Sequence, residues 1–149
     1  LPVIFDNFVP APDLIVKRIV VDFSSNFVEN EIKNVGSAAT QDAFWVDLYI
    51  NPTPVPTGTN QTCQSSISCQ GTLVWGITQS VSILPGDTIT ISTGDPFFSE
   101  TYSNFTGQFD ESMKIYVQVD SDNAQTDYGN VLERHEIFGQ PYNNIMLKP

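Results

Sequence analysis

A chain of 149 residues with 40% hydrophobic and only 15% charged residues has the apolar mass for one domain around one core. Its formal charge of −11 and pI near 4.1, with six Lys and Arg in all, exclude a nucleic-acid surface and disfavour anionic membranes. No apolar run is long enough to span a bilayer, so membrane insertion is not expected.

The first twelve residues read as an extended linker or donor segment, ahead of a domain over 13–149. Leu1, Val3, Ile4, Phe5, Phe8 and Val9 precede any structured element, and Pro10 and Pro12 hold the backbone extended. These apolar side chains either fold back onto their own domain or add as a strand to an open sheet edge of another copy. In the second case Val3, Ile4, Phe5, Phe8 and Val9 form a subunit-binding segment.

From Asp13 to Phe23 the β-branched run predicts a strand with Lys17 and Arg18 facing solvent. In FVENEIKNVG, Val28, Asn30 and Ile32 share a face, and an Asn in an apolar row points to an imperfectly covered strand or one near an edge. Gly36 supplies a turn, and the stretch Lys33–Ile50 reads as a hairpin. Its second arm puts Phe44, Val46, Leu48 and Ile50 on one face. Trp45, Asp47 and Tyr49 fall on the other, which covers a second layer or a rim.

NPTPVPTGTNQTCQSSISCQG, from residue 51 to 71, reads as a surface loop stapled by a Cys63–Cys69 disulfide. Such a bond implies an oxidising compartment and contributes at the low end of roughly 2–4 kcal/mol; two free thiols are the alternative. GTLVWGIT alternates Leu73, Trp75 and Ile77, a further strand from Val81 to Leu84 continues it, Pro85-Gly86-Asp87 is a turn, and ITIST resumes the alternation. The aromatic segment 95–110 is expected as a packed loop, and Met113–Asp120 as a clear strand. VLERHEI offers a helical turn or two, and Tyr142–Lys148 a last strand. Seven or eight short strands separated by turns predict an all-β, immunoglobulin-like sandwich.

Five motifs in order, PDLIV at Pro12–Val16, KNVG at Lys33–Gly36, FWVDLYINP at Phe44–Pro52, LPGDT at Leu84–Thr88 and YVQVDSDN at Tyr116–Asn123, carry a family resemblance. The chain resembles the cell-adhesion-related domain found in bacteria (CARDB). The resemblance implies an immunoglobulin-like sandwich on secreted or cell-surface proteins, often in tandem arrays, and no enzymatic activity. Architecture carries over, but no catalytic or ligand residue does. The Asn30 strand and the long loop around the cysteines depart from the family pattern.

Chemistry is sparse. The single histidine, His135, has no GxSxG or Cys/His partner arrangement, and the carboxylate pairs Glu133/Glu136 and Asp120/Asp122 are ordinary on an acidic chain; no catalytic residue is expected. No cofactor is expected, with calcium the one candidate ion. Asp120, Asp122, Asn123 and Asp127 cluster at a strand end as oxygen ligands would, but an EF-hand register from Asp120 puts Gln125 and Val131 at the Gly and Glu positions. Capping of turns by these Asp and Asn side chains is the stronger reading. Trp45, Trp75, Tyr102 and Tyr128 could stack on a glycan, although Trp75 alternates with core residues. Asn60 and Asn104 head Asn-X-Thr glycosylation sequons. Without an initiator Met or a signal segment, the chain reads as processed or excised from a secreted or surface protein. The expected role is structural or adhesive, with self-association or neighbouring domains as partners, and a glycan- or calcium-binding module as the alternative.

Overall fold

A computed structural model describes residues 9–149. Strands β1 (Leu14–Asp22), β2 (Phe27–Asn34) and β5 (Thr88–Ser92) form one antiparallel sheet in the order β1-β2-β5. Strands β3 (Phe44–Ile50), β4 (Gly71–Ile77), β6 (Ile115–Val119) and β7 (Ile145–Leu147) form the second, in the order β4-β3-β6-β7. One helical turn, α1 (Arg134–Ile137), precedes β7. The expected all-β sandwich is therefore present, with seven strands.

The core lies between the sheets and follows the period-two pattern. Leu48, Val46 and Ile50 of β3, Leu73 and Trp75 of β4, and Val117 of β6 face Leu14, Val28, Ile32 and Ile91 of the other sheet. Each such side chain contributes about 1.5–3 kcal/mol on burial. Trp75 also donates its indole N–H to the Ser92 carbonyl at 2.9 Å, so one side chain ties β4 to β5 across the core. In β1 the register shifts between Val16 and Arg18. That irregularity changes the phase of the alternation, which is how Val16 and Ile19 are both buried while Lys17 and Arg18 are both exposed.

The stretch Lys33–Ile50 is not a hairpin. β2 pairs with β1 and β5, whereas β3 pairs with β4 and β6, so the connection crosses from one sheet to the other. The turn is drawn away by backbone bonds to the segment before β1: Val35 N–H donates to Asp13, and Ser37 and Ala38 N–H both donate to Ala11. A Cβ on Gly36 would stand 2.4 Å from the Ala11 carbonyl oxygen, so that crossing needs glycine for close approach. The true hairpin is β1–β2, whose turn is held by Asp22 Oδ1 accepting from the Ser24 and Ser25 amides.

Other boundaries also differ from expectation. Residues 81–84 form no strand; Ile83 is buried by an exchange with Thr40, whose hydroxyl accepts the Ile83 N–H and whose N–H donates to the Ile83 carbonyl. The last strand shrinks to Ile145–Leu147, and the helical possibility becomes one turn. The 95–110 loop runs along β4, with Gly76, Ser99 and Asn104 amides bonding across the edge, so this sheet edge is covered by chain. The outer face of the four-stranded sheet is a second buried layer: Asp47, Tyr49, Thr72, Val74 and Gln118 are all buried beneath loops.

Asn30 is not near an edge. It sits mid-way along the central strand β2, opposite Ile19 and Ile91, fully buried, with neither amide atom partnered. A buried amide without a hydrogen bond costs about 1–3 kcal/mol. Asn30→Leu, with the same number and branching of side-chain heavy atoms, should therefore raise unfolding stability by about 1–2 kcal/mol. A higher urea midpoint at unchanged slope is the expected readout, and an unchanged or lower midpoint would show that the amide is satisfied.

Candidate functional site

Two places gather chemistry-bearing side chains. The first is a buried polar knot where β1 begins. Asp13 Oδ1 accepts from His135 Nδ1 at 2.8 Å and from Asn143 Nδ2 at 3.2 Å, and its Oδ2 lies 3.4 Å from Arg134 Nη2. Arg134 also donates to the Val35 carbonyl at 3.0 Å. Glu133 Oε1 accepts the Leu14 amide at 2.6 Å and Asn144 Nδ2 at 2.9 Å, and Asn144 donates onward to the Leu14 carbonyl. Together α1 and its flanks replace a missing neighbour strand for the start of β1.

Asp13, Glu133 and His135 bring ligand-type atoms within 4.8 Å of one another, the one such trio among the described residues. Part of their bonding capacity is already engaged. The Asp13–His135 contact is a direct hydrogen bond, and Glu133 Oε1 holds a backbone amide. His135 Nε2 and Glu133 Oε2 are buried and unpartnered, so no hydroxyl or thiol among the described residues stands where an Asp–His pair would activate one. Burial pushes Asp13 upward, but the bonds from His135 and Asn143 and the charges of His135 and Arg134 bring it below the usual carboxylate range. Burial, reinforced by Asp120, holds Glu133 well above its ordinary value, against the bonds from Leu14 and Asn144.

The expected calcium ligands divide among three roles. Asp120 is buried, and its two oxygens accept the Asn130 and Val131 amides at 2.8 and 3.1 Å. Gly129 (φ 88°) passes so close that a Cβ there would lie 2.6 Å from Asp120 Oδ1. Asn123 accepts the Gln125 amide and donates to Asn130, while Asp122 is half-buried and lines a separate cleft and Asp127 is exposed. Asp120 and Asn123 thus act on turns, the capping role that short polar side chains favour.

Cys63 and Cys69 form the expected disulfide. Asn60 is woven into the structure, donating Nδ2 to the Thr126 carbonyl at 2.7 Å and accepting the Asn123 amide at 2.8 Å, so it links the stapled loop to residues 120–131. Asn104 is exposed and uses only its oxygen, which accepts the Thr72 amide. Residues Val3, Ile4, Phe5 and Phe8 lie outside the described residues; Val9 is exposed.

The second place is a cleft of about 230 Å³ over the outer face of β3 and β4. Trp45 and Tyr102 meet edge to face with ring centroids 5.4 Å apart. Asp47, Asp122, Thr62, Gln64 and Val74 complete the lining. Asp47 is 4% exposed, accepts from Ser121 Oγ at 2.7 Å, and is raised to about 7 by burial, with the charge of Asp122 adding and bonds from Ser121 and Tyr49 partly offsetting. The pairing of Trp45 with Asp47 was legible in the strand, and Tyr102 was among the stacking aromatics the sequence offered; Gln64, from a distant loop, carried no signal. Trp75 is core and Tyr128 lies outside this cleft.

Comparison of the chain with protein-family models, with curated proteins and with solved structures found no match.

Two measurements check the polar network. His135→Ala leaves Asp13 buried with a weakened set of partners and should destabilise by about 3 kcal/mol, read as a urea midpoint. Asp47 and Asp120 both rise to about 7, so the folded state holds protons that the unfolded chain releases near pH 4. Their stabilisation is full below about pH 4 and is lost as pH rises to about 7, opposed at the acid end by the lowered Asp13, Asp22 and Asp110. The melting temperature should therefore be higher at about pH 5 than at about pH 8. Asp47→Asn, which keeps an oxygen for Ser121, should flatten that difference.

Proposed function

We propose that the chain is a non-catalytic structural and adhesive module of an extracellular surface protein, as the CARDB resemblance implies, and that copies associate by strand addition of the N-terminal segment. The observation that carries this reading is an open groove of about 390 Å³ beside two sheet edges, lined by Ile19, Val20 and Met146 with Lys17, Arg18 and Lys148 at its rim. Among the described residues β1 pairs only with β2, and β7 only with β6, so both edges beside the groove lack a neighbour strand. Three of the chain's six cations gather here on a body of net charge −11, which favours an acidic or neutral apolar segment over a basic one. The sequence LPVIFDNFV has that character: apolar side chains, one carboxylate and no base. Head-to-tail addition yields filaments where its rotation does not close a ring.

The disulfide supports an oxidising compartment. Among the described residues no helix is long and apolar enough to cross a membrane. A second reading, a module that binds a small ligand, has its own observation in the Trp45–Tyr102 cleft. The knot of Asp13, Glu133 and His135 supports neither reading directly; its bonds all serve the start of β1.

Removing residues 1–9 should abolish assemblies seen by light scattering and electron microscopy. Val20→Glu, at a half-exposed groove position, should shrink them while leaving the melting transition in place. Assemblies of unchanged size in both variants would refute strand addition.

A further inference from the structure

The cleft over β3 is built, and its chemistry points to one class of ligand. Trp45 stands opposite Gly76 of β4 in the strand register, and a Cβ on Gly76 would come within 3.1 Å of the indole. Glycine there lets the ring lie across the neighbouring strand. Tyr102, 55% exposed, stands at 79° to it, so the two rings make a corner and not a flat platform. At the base, Asp47 is nine-tenths buried, accepts from Ser121 Oγ through one oxygen with the Tyr49 hydroxyl as a second neighbour, and lines the cleft. Asp122 adds a second carboxylate, Thr62 and Gln64 add acceptor oxygens, and no Lys, Arg or His lines the space.

A corner of two aromatic rings offers negative ring faces to a cation. Two carboxylates with no countercharge offer the same thing by direct attraction, and a buried carboxylate gains more from a cation than from a neutral hydroxyl because burial has removed its water. A neutral sugar would use the rings and the acceptors but leave the charge uncompensated. We propose that this cleft binds an organic ammonium group, presented by a small amine or by the side-chain end of a lysine on a partner chain. The inference rests on the ligand-binding reading and is independent of strand addition, because binding is measured on the ligand and assembly on particle size.

The titratable groups facing Asp47 are Asp122, from the loop after β6, and Tyr49 on its own strand; its cross-strand partners Val74 and Gln118 carry no charge. Asp47 therefore loses its proton as pH rises through about 7, and an ammonium ligand then meets a full negative charge. Binding should tighten over that interval and weaken with added salt. A neutral sugar would show neither dependence.

The test titrates the whole chain with propylammonium, with the Nα-acetyl methylamide of lysine, and with methyl glucoside, read by calorimetry and by Trp fluorescence. The two amines should bind with Kd on the order of 1 mM or tighter at about pH 8. Affinity should fall roughly tenfold or more in Asp47→Asn and in Tyr102→Ala. Tyr102→Ala alters only an exposed loop side chain and so keeps the test valid if Trp45→Ala does not fold. Binding of the lysine derivative alone assigns the group to a partner chain, and binding of both assigns it to amines in general. Binding of the glucoside in place of the amines, amine binding indifferent to Asp47 and Tyr102, or no binding at about 100 mM amine would each overturn the proposal.

Discussion

The sandwich depends on how the backbone is satisfied where β1 begins. On that side of the strand no further strand lies among the described residues, yet Asp13 and Leu14 are buried, so their polar groups need partners from side chains. Asn34 provides one set: its oxygen accepts the Asp13 and Gly36 amides, and its nitrogen donates to the Ala38 and Ile83 carbonyls. One amide thereby joins the end of β2, the start of β1, the crossover and the segment before β5. Glu133 and Asn144 provide the other set at Leu14. The positions of the two sheets at this end follow from these bonds as much as from the apolar core.

That constraint explains which parts of the fold were legible. Alternation along Phe44–Ile50, Gly71–Ile77 and Ile115–Val119 names strands because period two is a local property of the backbone. It does not name partners. Lys33–Ile50 looked like a hairpin because both arms have strand character and a glycine lies between them. The bonds that send the chain to the other sheet come from Ala11 and Asp13, more than twenty residues upstream of the turn they capture. Asn30 pointed to an imperfectly covered strand or an edge because buried amides are usually partnered, and here the usual rule fails in a fully buried position in the middle of a sheet.

The candidate sites were legible in part for the same reason. Trp45 and Asp47 are two apart on one strand and share a face by geometry, so their conjunction could be read directly. Tyr102, Gln64 and Thr62 reach that face only through long loops, and composition says nothing about where a loop lands. The acid-rich DSDNAQTD segment clusters its carboxylates in sequence and separates them in space, sending Asp120 inward to a turn and Asp122 toward the cleft. His135 is the opposite case: isolated in sequence, it meets Asp13 across a separation of 122 residues.

Those separations bear on the order of events during synthesis. Leu14 waits for Glu133, 119 residues later, and for Asn144, 130 residues later. On a ribosome adding about 5–20 residues each second, the residues of β1 and β2 are made several seconds before Glu133 and Asn144. Until then the outer backbone edge at the start of β1 stays open to solvent and to other nascent chains. A chain interrupted before Glu133 leaves the Leu14 end of that edge unsealed.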